Sequence, residues 1–185
     1  MPLMSHRFSA SVLALFLAGG IPFYAHGAVD LDNPAVELTA EQYPAAVERL
    51  ILEKNFEKAL SYIEEGLEKN PLSAQLRFQK CVLFERSGQD DLAKEELEAF
   101  IKTYPEIPEA YNNLARIVTK AGDFDRAQEL LERAVALRPG YATARENLGS
   151  LYLTRALSNL KIAARNGSRS AAKRATALES VLKEK

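Results

Sequence analysis

The sequence predicts an all-α chain of helix–turn–helix units stacked in series. Three observations predict it. The first is a period of 34 residues: Pro71, Pro105 and Pro139 fall on it, as do Ala59, Ala93 and Ala127, then Ile63, Leu97 and Leu131, and Leu50, Phe84 and Val118. The second is helical spacing of apolar residues within a unit, as in Leu76, Val82, Leu83 and Phe84. The third is punctuation. Gly88 and Gly122 share one place in consecutive units, where a left-handed residue ends a helix, and the periodic prolines stop the next one.

The clearest unit reads Tyr111-x-x-Leu114-Ala115-x-x-Val118, Gly122-Asp123-Phe124, Ala127-x-x-x-Leu131, Ala134, Pro139. This stretch resembles the tetratricopeptide repeat, a unit of about 34 residues. Ala115, Ala127 and Ala134 are small enough for paired helices to approach closely, and Asp123 can cap the second helix. The resemblance covers about Thr39 to Tyr152. It implies a right-handed superhelical solenoid whose first helices line a concave, ligand-selecting face.

In chain order, residues 1–28 have the layout of a secretory signal peptide. His6 and Arg7 precede an apolar run from Phe8 to Ala18, then Gly19-Gly20-Ile21-Pro22 and the small residues Ala25 and Gly27. An uncleaved anchor is the alternative, although the eleven-residue run 8–18, which includes Ser9 and Ser11, is short for a span of about 20. Residues 29–38 read as a disordered lead-in. The repeat domain spans 39–165, in blocks 40–73, 74–107, 108–141 and 142–165.

The first repeat departs most from the pattern. Pro44 sets its first helix to start near Tyr43, Lys54 stands at the turn-glycine place, and Gly66 sits inside its second helix at a cost of about 1 kcal/mol relative to Ala. Such departures suit a terminal repeat or a flexible end. In the second repeat Ser73 is the expected N-cap, and Lys80 replaces an apolar residue. In the third, Pro108 opens the first helix. In the fourth, Leu148-Gly149-x-x-Tyr152 keeps the register, but no glycine or proline lies between 149 and 166, so the helix is expected to run on to about Ala164. Asn166-Gly167-Ser168 then turns the chain into a basic capping helix, 166–185.

Composition narrows function. The chain is 47% hydrophobic with a net charge of −1. Its two histidines, His6 and His26, both lie in the expected leader. A processed chain would lack histidine–nucleophile pairs and histidine metal sites. No phosphate-binding glycine loop occurs, and adjacent helical acids such as Glu64-Glu65 point to different faces. Cys81 reads as a buried structural thiol. No catalytic residue, metal or cofactor is expected. Charge divides unevenly: residues 141–185 carry nine cations against three acids, residues 30–140 fourteen against twenty-two.

By the resemblance, the exposed positions of the first helices would form a peptide-binding groove. They are Gln75, Phe78, Val82 and Glu85; Glu109, Asn112, Asn113, Arg116 and Thr119; and Glu146, Asn147 and Ser150. Asn113 and Asn147 are one period apart, placed to grip a peptide backbone or simply to face solvent. Some family members clamp a chaperone's terminal carboxylate with lysines, an arginine and asparagines. The matching positions here include Pro44, Glu48, Gln79 and Glu109, or Phe78, Val82 and Thr143 one repeat on, without the cations, so carboxylate-terminal binding is not expected.

The reading is a non-catalytic protein- or peptide-binding adaptor or scaffold of the bacterial cell envelope, periplasmic or secreted. The layout of the leader and the frequency of such small exported repeat proteins in bacteria support the location. No nucleic-acid partner and no stable membrane anchor after signal cleavage are expected, and homo-oligomers stay open. The alternatives are a self-associating structural subunit, or a polyanion or membrane-surface binder working through the basic helix.

Overall fold

The computed structural model describes residues 37–183, so the expected signal peptide and most of the lead-in lie outside the described residues. Eight helices and no strand occur among the described residues: α1 (Tyr43–Leu52), α2 (Phe56–Lys69), α3 (Ala74–Arg86), α4 (Asp90–Thr103), α5 (Pro108–Lys120), α6 (Phe124–Leu137), α7 (Ala142–Arg165) and α8 (Arg169–Lys183). They belong to the compact unit that begins at Leu38. Each helix packs on the next in sequence, and α1 also packs on α3, the pattern of an all-α repeat solenoid.

Local chemistry sets the helix ends. Asn55, Ser73 and Asp123 cap α2, α3 and α6 by accepting from the backbone N–H of Lys58, Leu76 and Arg126 at 3.1–3.3 Å. Proline stands in the first turns of α1 and α5. The three hairpin turns are built alike: Asn55 N–H donates to Leu50 O, Gln89 N–H to Phe84 O and Asp123 N–H to Val118 O, all within 2.9–3.0 Å. Each turn needs one left-handed residue. Gly88 and Gly122 supply it with φ of 78° and 84°, and Lys54 is forced into it at 60°. Replacing Lys54 by glycine removes a side-chain clash worth about 1–2 kcal/mol and is expected to raise the urea midpoint. An unchanged or lower midpoint would mean that the lysine relieves the strain elsewhere.

The core follows the period. Ala59 and Ile63, Ala93 and Leu97, and Ala127 and Leu131 are buried along α2, α4 and α6. Lys80 holds the place that Leu114 takes one repeat later. Its ammonium reaches Glu96 at 2.6 Å and lies 5.7 Å from the Phe84 ring, so the stem packs while the charge is paired. The outward sides of the same second helices are acidic at recurring places. Asp91, Glu95 and Glu98 of α4 recur as Asp125, Glu129 and Glu132 of α6, and in α2 as Glu57 and Glu64.

The fourth repeat has no turn. α7 runs unbroken for 24 residues. Asn166 and Gly167, at a φ of 93°, then reverse the chain, and α8 packs back on α7 through Ala171 and Ala175. A Lys161–Glu179 ion pair at 2.5 Å joins the two helices.

Candidate functional site

A cleft of about 260 Å³ opens between α5 and α7. Ala115, Leu131 and Leu151 form its buried apolar floor, and Phe124 stands at one end. Arg116, Thr119, Lys120, Asn147, Ser150 and Thr154 form a polar rim. The small Ala115, expected only as a packing residue, leaves room between the helices. Four of the expected groove residues, Arg116, Thr119, Asn147 and Ser150, therefore converge on one depression. Gln75 is half-buried and Glu146 exposed, and neither lines this cleft.

The rim cations tie neighbouring repeats together. Lys120 Nζ lies 3.1 Å from Asp90 Oδ1, and Arg155, next to the rim residue Thr154, lies 2.6 Å from Asp125. Arg116 Nη1 is 2.8 Å from Glu85 Oε1, a charge contact and not an aligned hydrogen bond. The Glu85 side chain is only 8% exposed. Burial holds its carboxyl above the usual carboxylate range, against the opposing pull of Arg116 and then Lys120.

Asn113 and Asn147 do not act independently. Asn147 Nδ2 donates to Asn112 Oδ1 at 2.8 Å, and Asn112 Nδ2 donates to Asn113 Oδ1 at 3.4 Å. A chain of side-chain amides thus starts at Asn147 on the cleft rim and crosses from α7 to the buried Asn112 and Asn113 of α5. The intermediate member was among the expected groove residues; its bridging role was not legible, because it depends on the distance between repeats.

Several expected groove residues are interior instead. Phe78 and Val82 are buried, and the Phe78 ring lies 5.4 Å from Phe100. Asn112 and Asn113 are buried and engaged with each other. Glu109 is 1% exposed and pairs through Oε1 with Arg138 Nη1. Its Oε2 and the neighbouring buried Tyr141 hydroxyl have no hydrogen-bond partner. Burial first, and then the Glu109 charge, pushes the Tyr141 phenol well above its ordinary range. The positional pattern marks which helix face a residue shares. It does not show that neighbouring side chains close over that face, and here they do. Phe78, the aromatic among the expected groove residues, is lost from that face, and Phe124, at the turn, is the aromatic that lines the cleft.

Among the described residues, no group of three or more His, Cys, Asp or Glu is arranged to hold a metal ion, and no helix is long and apolar enough to cross a membrane.

Comparison with known proteins agrees with this architecture. The tetratricopeptide repeat family matches residues 108–141, which span α5, α6 and the turn into α7. The Sgt2 tetratricopeptide-repeat domain from Aspergillus fumigatus superposes with a TM-score of 0.59 at 16% identity, over 65% of this chain and 81% of that one. The first such domain of Spaghetti (RPAP3), solved bound to an HSP90 peptide, gives 0.58 at 14% identity over 63% and 93%. MamA from Desulfovibrio magneticus RS-1 gives 0.55 at 18% identity over 80% and 77%. The chain thus carries a tetratricopeptide repeat at residues 108–141, set among helices that share the fold of tetratricopeptide-repeat domains.

Proposed function

We propose that the chain is a non-catalytic adaptor or scaffold that binds an extended peptide segment or partner protein along its first helices, in the bacterial cell envelope. The observation that carries this reading is the α5–α7 cleft, which combines an apolar floor, a hydroxyl and amide rim, and the asparagine chain at its edge. Its size suits one or two side chains, since whole-ligand pockets run from about 300 Å³ upward. An apolar anchor on the floor and backbone amides against Asn147 and Ser150 describe an internal segment of a partner. The peptide held by the RPAP3 domain is a precedent in the same fold. The rim offers a terminal carboxylate no free clamp, because Arg116 and Lys120 are already engaged with Glu85 and Asp90. Export to the periplasm rests on the leader pattern of residues 1–28.

The test is selection of a displayed peptide library on the wild-type protein, followed by titration of the winners against Ser150→Trp and, as a control, Arg133→Ala on the outer side of α6. Ser150 is half-buried on the rim, so the indole fills the cleft. A loss of tenfold or more with Ser150→Trp alone, about 1.4 kcal/mol, is expected. Binders indifferent to Ser150→Trp would remove the cleft from the function.

A further inference from the structure

Two sets of outward charges in this chain have no ion pair among the described residues, and they are of opposite sign. One lies on α8. Ala171 and Ala175 are buried against α7, and the opposite side of the helix carries Arg169 and Lys173, then Thr176 and Ser180, with no acid among them. Arg174 and the exposed Val181 flank this line. Neither Arg169, Lys173 nor Arg174 is paired. The other set lies on α4. Ala93, Leu97 and Phe100 are buried, and the opposite side carries Asp91, Glu95 and Glu98, followed in the last turn by the exposed Lys102. The neighbouring acids Asp90 and Glu96 are taken by Lys120 and Lys80. The corresponding acids of α6 are engaged as well: Asp125 by Arg155, Glu129 by Arg126, and Glu132 by Tyr152 and Gln128. Glu57, Glu64 and Glu68 of α2 are also without an ion pair among the described residues, but Ser61 interrupts them at the place of Glu95, so the unbroken free run of three acids lies on α4.

The spacings agree. Arg169 and Lys173 are four residues apart, as are Asp91 and Glu95, and four residues of helix rise about 6 Å. Two such helices laid side by side bring both cations against both acids.

We propose that the outward face of α8 docks on the acidic ridge of α4 in a second copy of this chain. The two patches differ, so the contact is head-to-tail and propagates instead of closing a pair. One helix face against another is small by the standard of stable interfaces, so the contact is weak, exchanging and salt-sensitive. A nucleic acid fits α8 less well, because its outward face offers no aromatic side chain for base stacking. A lipid surface also fits less well, because Val181 is the single large exposed apolar residue on the described part of α8. This inference is independent of the peptide cleft.

The experiment is sedimentation of the purified protein over a concentration series in about 0.05 M and 0.5 M salt, beside the double variants Arg169→Glu with Lys173→Glu and Asp91→Lys with Glu95→Lys. The wild type is expected to gain mass with concentration at low salt, at least roughly tenfold more readily than at high salt. Each double variant is expected to stay monomeric alone, and the equimolar mixture to associate again. Neutral versions, Arg169→Gln with Lys173→Gln and Asp91→Asn with Glu95→Gln, separate lost contact from lost fold: each should stay monomeric alone with unchanged circular dichroism, and their mixture, which keeps one intact α8 face and one intact α4 face, should stop at pairs. A wild type that stays monomeric at low salt overturns the proposal. So does a double variant that still associates, or a folded mixture that does not recover. Loss of binding to phosphatidylglycerol vesicles by the α8 variant, with self-association intact, overturns it in favour of a membrane surface.

Discussion

Replacing Gly66 by alanine is expected to destabilise the protein by about 1–3 kcal/mol, although alanine is the better helix former by about 1. Gly66 lies in the last turn of α2, where α1 and α3 close over it. A β-carbon there would lie 2.7 Å from Leu76 Cδ1 and 2.9 Å from both Cβ and Cγ of Tyr43. Leu76 can rotate its methyl away at modest cost. Tyr43 cannot, because its Cβ is fixed to the first turn of α1 and its hydroxyl donates to Glu65 at 3.1 Å. The control is Gly149→Ala on α7. There nothing lies within 4 Å of the added carbon, so the same substitution is expected to stabilise by up to about 1 kcal/mol. Urea titration of both variants reads the two signs directly. A stabilised Gly66→Ala would show that the three-helix contact relaxes without penalty.

Leu114→Ala is expected to cost about 3 kcal/mol, within the usual range for removing a fully buried leucine. Leu114 is 0% exposed on α5, a helix that packs on both α4 and α6. In a linear stack each unit is held by its own pairing and by its neighbours, so a void at this helix weakens contacts on two sides. The urea midpoint should fall with little change in slope if the stack unfolds as one. A shift below about 1 kcal/mol would place Leu114 among surface-like positions such as the exposed Leu92.

Much of the fold was legible because repeat chemistry is local. The turn residues Gly88 and Gly122, the caps Ser73 and Asp123, the start of α1 at Tyr43 and the unbroken fourth first-helix all follow from residues within one unit. Contacts between units were not legible. Gly66 read as a helix weakness, and only the positions of Tyr43 and Leu76 turn it into a requirement. Lys80 read as a departure, and Glu96 explains it. Phe78 and Glu109 read as groove residues because their helical phase is right, yet Phe78 meets Phe100 and Glu109 meets Arg138 inside the stack. Asn113 and Asn147 were singled out by their period, whereas the link through Asn112 depends on how far apart α5 and α7 settle. The acids of the second helices read as ordinary solvated charge. Their alignment at matching places on α2, α4 and α6 acquires meaning only beside an unpaired basic helix.

Cys81, the sole cysteine, gives the chain a built-in clock. Its side chain is 1% exposed, its thiol donates to Arg77 O at 3.3 Å, and burial followed by the Glu96 charge pushes its pKa up to about 12. Only the thiolate reacts quickly with alkylating reagents, and neither that form nor access to it exists while α3 is packed. Each labelling event therefore records one excursion in which the second repeat comes open. Timing those events in the unaltered protein gives the free energy of opening at the centre of the stack, with no engineered probe.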